Sequence, residues 1–147
     1  MIWGCFSRSG VGPIHKIAEK MNRFLYKDIL QNVMLPYAEE NMPLCWNFQQ
    51  DNDPKHTSKL LKEWFVEEKV NVLQWPSQSP DLNPIEHLWE ELERRIRKKN
   101  MKNNTELWET IQEEWNQISV DVCKTLVDSM PRRCQAVLEA KGYATKY

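Results

Sequence analysis

The sequence predicts an α/β domain, a mixed β-sheet flanked by helices and closed by a helical C-terminal tail. Three observations predict it. Apolar runs of strand length, at 1–6, 44–50 and 70–75, alternate with longer amphipathic stretches. Those stretches repeat apolar residues every three or four positions, as at Ile85, Leu88, Trp89, Leu92 and Ile96. Beyond residue 100 only helical patterns occur. With 147 residues, 41% hydrophobic and 28% charged, the chain is long enough to bury one core and has the balance of a globular protein. We expect residues 1–100 to form the sheet-bearing core and 101–147 a helical extension of the same domain.

The elements are expected in this order. A hairpin pairs 1–6 with 14–17 across a turn at 7–13, with His15 on its solvent face. A helix over 22–40 carries Phe24, Leu25, Ile29, Val33 and Met34 as its apolar stripe, and Pro36 kinks it or ends it early. A buried strand over 44–50 runs into Asp51. The helix over 57–68 is capped by Thr57 or Ser58 and turns Leu60, Leu61, Trp64 and Phe65 inward. After a strand at 70–75, the Pro-rich segment 76–84 aims a helix that runs from 84 to about 99. Asn103 and its neighbours cap the next helix, with Leu107, Trp108, Ile111, Trp115 and Ile118 buried. A shorter helix covers about 120–129, and Pro131 starts the last one. The seven Trp are expected in the core.

A net charge of −1 and a pI of about 6.3 give no global field for nucleic acid, so any DNA contact must come from local clustering. That cluster is Arg94, Arg95, Arg97, Lys98 and Lys99, with Lys102 nearby. Cations at a helix C-terminus also suit its dipole, and the spacing predicts the ion pairs Glu90/Arg94, Glu91/Arg95 and Glu93/Arg97. Both readings stay open. Four Cys show neither zinc spacing nor a disulfide framework, which predicts free thiols in a reducing compartment. No apolar run approaches the roughly 20 residues of a membrane span, and no leader pattern is evident, so an intracellular protein with no membrane partner is expected.

Two carboxylates sit where one local structure ends and another begins. Asp51 closes the apolar strand, and Glu86 lies in the first turn of the helix after the Pro-rich segment. In an α/β sheet, strand ends and helix starts are where sites form, so a β-α-β-loop-α segment is able to bring the two together. Carboxylates suit Mg²⁺, a hard cation that prefers oxygen ligands. Two are too few for a pair of ions. Each acid also has a local reading: Asn83-Pro84-Ile85-Glu86 spells a capping box, and Asp51-Asn52-Asp53-Pro54 spells a turn.

The segments Gln50-Asp51-Asn52-Asp53-Pro54-Lys55-His56-Thr57 and Trp75-Pro76-Ser77-Gln78-Ser79-Pro80-Asp81-Leu82-Asn83-Pro84-Ile85-Glu86-His87-Leu88-Trp89 closely resemble two signature blocks of the Tc1/mariner transposases. The likeness extends from Trp3-Gly4-Cys5-Phe6 to the terminal Gly142-Tyr143-Ala144-Thr145-Lys146-Tyr147. It implies a ribonuclease H-like fold carrying an Asp-Asp-Glu triad, with Asp51 as second acid and Glu86 as third. Thirty-four residues separate them, the spacing of the Tc1 branch. It also implies metal binding at both acids, with Mg²⁺ or Mn²⁺ as a pair of ions in the intact parent, and Asn52, His56 and Asn83 in support. The implied activity is cleavage and transfer of DNA at transposon ends, on transposon-end and target DNA, in the nucleus.

The family's first acid lies on a first, central strand upstream of this chain's start, so the resemblance implies an N-terminally truncated sheet. The chain alone is then expected not to cleave DNA, to be marginally stable, and to dimerise or pair with an intact transposase. A catalytically inactive DNA-binding or transposase-interacting relic or domesticated protein is the alternative. A metal-dependent phosphoesterase for small substrates is a weaker one.

Overall fold

The computed structural model describes residues 1–76, 79–141, 143 and 145, with Asp81 described through its backbone only. Ser77 and Gln78 of the Pro-rich segment, and Gly142, Ala144, Lys146 and Tyr147 of the terminal block, lie outside the described residues. The elements are β1 (Ile2–Ser7), β2 (Gly10–Lys16), α1 (Arg23–Ile29), α2 (Leu35–Asn41), β3 (Asn47–Phe48), α3 (Lys59–Glu67), β4 (Asn71–Val72), α4 (Ile85–Ile96), α5 (Asn104–Asn116), α6 (Val120–Asp128) and α7 (Met130–Glu139). They divide into two compact units, Met1–Gly4 with His15–Gln78, and Cys5–Ile14 with Ser79–Tyr147.

The hairpin is tighter than expected. β1 and β2 are joined by Arg8 and Ser9 alone, because Gly10 takes a φ of +138° that other residues rarely adopt. Pro13 therefore lies inside β2 rather than in the turn. That is acceptable, since β2 pairs only with β1 among the described strands and the missing N–H faces no second partner.

In the first unit, Asn22 caps α1 by accepting from the N–H groups of Phe24 and Leu25. A helix starting there places Tyr26, Ile29, Leu30 and Met34 on one face, and these are the buried residues. Phe24, expected inside, is 61% exposed beneath the Arg23 guanidinium. Pro36 neither ends nor breaks the helix. The turn Leu30–Met34 opens into a π-helix, with the Leu35 N–H reaching the Leu30 carbonyl, and Pro36 then sits in the first turn of α2. Ser58 caps α3, which buries Leu61, Trp64 and Phe65. β3 and β4 pair in parallel, Asn47 opposite Asn71 and Phe48 opposite Val72.

The strand expected over 44–50 shrinks to those two residues, and Leu44 and Cys45 are exposed. β3 has one strand neighbour, so its apolar run lacks the covered flanks that make a parallel strand a buried one. The two ladders, β1–β2 and β3–β4, share no strand among the described residues.

In the second unit, α4 buries Leu88 and Leu92, α5 buries Ile111 and Trp115, and Trp89 stacks on Trp115 with ring centroids 4.9 Å apart. The Trp115 indole N–H donates to the Gly12 carbonyl at 2.8 Å, tying α5 to the hairpin tip. Of the seven Trp only Trp3, Trp64 and Trp115 are buried; the other four are half-exposed.

Candidate functional site

Asp51 follows β3 and opens a double turn. Its Oδ1 accepts from the Asp53 N–H at 3.1 Å, and Asp53 Oδ1 accepts from the Lys55 N–H at 2.9 Å. The turn chemistry is thus present, and it uses one oxygen of Asp51. His56 Nδ1 lies 2.6 Å from that same Oδ1. Oδ2 takes no donor among the described residues, and the side chain is 54% exposed. Asn52 donates from Nδ2 to the Trp75 carbonyl at 2.7 Å, which fastens the Asp51 turn to the chain leaving β4.

Burial pushes the Asp53 carboxyl up, but hydrogen bonds from Lys55, with the charges of His56 and Lys55, hold it below its ordinary range. Beside Asp51 opens a cleft of about 750 Å³ in the first unit, lined also by Asn52, His56, Lys62, Lys69 and Trp75. Neither lysine makes an ion pair among the described residues, and sequence reading had singled out neither.

Glu86 lies in the second unit, in the first turn of α4, and is exposed. The capping box expected there is not closed. Asn83 makes no side-chain bond to a backbone N–H, and its Nδ2 reaches Glu86 Oε1 only at 3.4 Å. The same Asn-x-x-Glu spacing recurs at Asn103 and Glu106, where the side chains do cap the helix start. Asn103 Oδ1 accepts from the N–H groups of Thr105 and Glu106 at 2.9 Å each, and Glu106 accepts from the Lys102 N–H at 2.8 Å. So Glu106 accepts from a backbone N–H at its helix start and, among the described residues, Glu86 does not. Among the described residues no group of three or more His, Cys, Asp or Glu is placed to hold a metal ion. Asp51 Oδ2 and the Glu86 carboxylate are nonetheless the hard, anionic oxygens that Mg²⁺ or Mn²⁺ requires.

The basic cluster is mostly engaged by acids. Glu91 takes both Arg94 and Arg95, Arg97 pairs with Glu93, and Lys99 bridges to Glu113 at 3.1 Å and Glu114 at 2.6 Å on α5. The Arg94 and Arg95 guanidiniums hold the Glu91 carboxyl below its ordinary range, and Glu114 with Glu113 raises Lys99. Arg94 thus pairs at i+3 rather than with Glu90. Lys98 makes no ion pair among the described residues.

A family described as DDE superfamily endonuclease matches residues 1–119. The chain belongs to that family. As a DDE superfamily member it is 53% identical over its whole length to the Tcb1 transposase of Caenorhabditis briggsae, and 51% identical to the Tc1 transposase of Caenorhabditis elegans. It spans about half of these relatives, 54% of each. The resemblance to Tc1-type transposases read from the two signature blocks is borne out.

Among solved structures, the Mos1 transposase catalytic domain with Raltegravir and Mn superposes with a TM-score of 0.88 at 19% identity, covering 99% of this chain and 76% of that one. The Mos1 paired-end complex with the left transposon end gives 0.88 at 18%, covering 99% and 44%. The fold of this DDE family member is therefore ribonuclease H-like, as expected.

Proposed function

We propose that this chain is part of a DNA transposase of the DDE superfamily, in which Asp51 and Glu86 are catalytic metal ligands for cleavage and joining of DNA at transposon ends. One observation carries the reading. Both acids sit in local motifs that ordinarily consume a carboxylate, and each keeps an oxygen out of them: Oδ2 of Asp51, and the Glu86 carboxylate beside an unclosed cap. Family membership favours this over a non-catalytic binding module. Bound divalent ions, Mg²⁺ or Mn²⁺, would polarise the phosphodiester and activate the attacking water or 3′-hydroxyl.

The chain's own residues would do the rest. Asn52 anchors the Asp51 turn, His56 orients the carboxylate, and Asn83 contacts Glu86. Phosphate contacts would come from Lys98, from Lys62 and Lys69 beside Asp51, and from Arg97 and Arg94, whose exposed ion pairs are weak enough to exchange. Arg95 and Lys99 tie the α4 end of the chain to α5 and would reach DNA only by releasing Glu91 and Glu114, and Glu113 and Glu114, respectively. The DNA partners would be transposon ends and target, handled in the nucleus by a dimer or by pairing with an intact transposase.

Mn²⁺ titration tests the ligand assignment. Asp51→Asn and Glu86→Gln should each weaken binding at least tenfold, while Glu106→Gln leaves it unchanged. Equal affinity in all four proteins overturns the assignment. Residues 1–147 by themselves are expected not to nick supercoiled DNA, because two carboxylates fix a divalent ion poorly.

A further inference from the structure

Behind the contact between His56 and Asp51 stand two further side chains, Tyr26 and Gln50. Tyr26, on α1 and 2% exposed, lays its ring on the His56 imidazole, with centroids 4.0 Å apart and planes at 28°. Its hydroxyl donates to Gln50 Oε1 at 2.8 Å, and Gln50 Nε2 donates to the His56 carbonyl at 3.3 Å. His56 is thereby held from its ring face and from its own backbone. An ionised carboxylate only accepts, so the 2.6 Å contact with Asp51 Oδ1 places the shared proton on Nδ1.

We propose that the Tyr26–His56 stack is a positioning device for Asp51. It engages Oδ1 from behind and presents Oδ2 to a hard divalent cation. The inference rests on the reading of Asp51 as a metal ligand.

Stability alone does not account for the arrangement. Asp51 is 54% exposed, and a hydrogen bond to so exposed a carboxylate adds little to stability. A stack that buries Tyr26 against one imidazole, while Phe24 two residues earlier stays in solvent, instead fixes a direction. Histidines and carboxylates that orient a metal ligand change metal affinity by about 10–100-fold when removed.

The test is Mn²⁺ affinity of the full 147-residue chain, read by water-proton relaxation, together with the ¹⁵N spectrum of the His56 ring. Tyr26→Leu should weaken Mn²⁺ binding about tenfold or more and lose the Nδ1-protonated signature. Tyr26→Phe, which keeps the stacked ring, should stay within about threefold of the native chain by the same reasoning. A folded Tyr26→Leu variant with native affinity and native ring signals overturns the proposal. If that variant does not fold, His56→Ala and His56→Gln decide. Loss in Ala with recovery in Gln, whose amide is able to donate to Oδ1, supports the device; native affinity in Ala overturns it. Asp51→Asn separates the two levels. If it binds Mn²⁺ like the native chain, the ligand reading itself fails. If it alone loses binding, only the positioning role fails.

Discussion

Replacing Asn103 and Asn83 by Ala, separately, measures which helix start is closed by its own side chains. The two sites share the spacing Asn-x-x-Glu and differ in geometry. At α5 the Asn103 oxygen serves two backbone N–H groups at 2.9 Å, and Glu106 contacts both the Asn103 amide and the Lys102 N–H. Losing a cap of this kind costs about 1 kcal/mol, within a range of about 0.5–2. For a chain of this length that lowers the midpoint of thermal unfolding by about 2–4 °C. At α4 the Asn83 side chain serves no backbone N–H, so Asn83→Ala should stay within about 0.5 kcal/mol of the native chain. Guanidinium unfolding followed by circular dichroism, compared at equal m value, reads both changes. Equal losses at the two sites would refute the reasoning. They would mean that the α4 start is a working capping box and that Glu86 belongs to it, leaving Asp51 as the one acid of the pair open to a metal.

Three further outcomes are expected. Trp115→Phe keeps an aromatic ring near Trp89 but leaves the buried Gly12 carbonyl without its 2.8 Å donor, and should cost about 1–3 kcal/mol in the same unfolding assay; a change below about 0.5 kcal/mol would show the bond to be incidental. Glu91, ordinarily at 4.5, is held lower in the folded chain by Arg94 and Arg95, so its contribution is present above that value and lost as pH falls through the folded one. Stability should be level above about pH 5 and fall below it, less steeply in Glu91→Gln; an unchanged slope in that variant would assign the loss to other acids. Lys98→Ala should weaken binding to duplex DNA of any sequence and reduce its salt dependence by about one counterion, and an unchanged slope would remove Lys98 from the interface.

Much of the fold was legible in the chain itself. Helix positions, the caps at Ser58 and Asn103, and the hairpin follow from periodicity and turn chemistry, which act between residues close in sequence. The two acids were legible too, because a carboxylate after a strand and another at a helix start are local features, and the signature blocks around them are long. What local pattern left undecided is which neighbour each group meets. Phe24 and Tyr26 are both aromatic near one helix start, and only the packing of α1 against α3 makes Tyr26 the buried one, over His56. The run before Asp51 is apolar enough to be buried, yet a strand with one neighbour leaves Leu44 and Cys45 in solvent. Spacing along α4 predicts ion pairs within that helix, but not that Glu113 and Glu114, on another helix, engage Lys99. Two identical Asn-x-x-Glu spacings end with one glutamate bound to its helix and the other available. Hydrogen bonds and burial between residues far apart along the chain depend on where the backbone returns, and no periodicity encodes that.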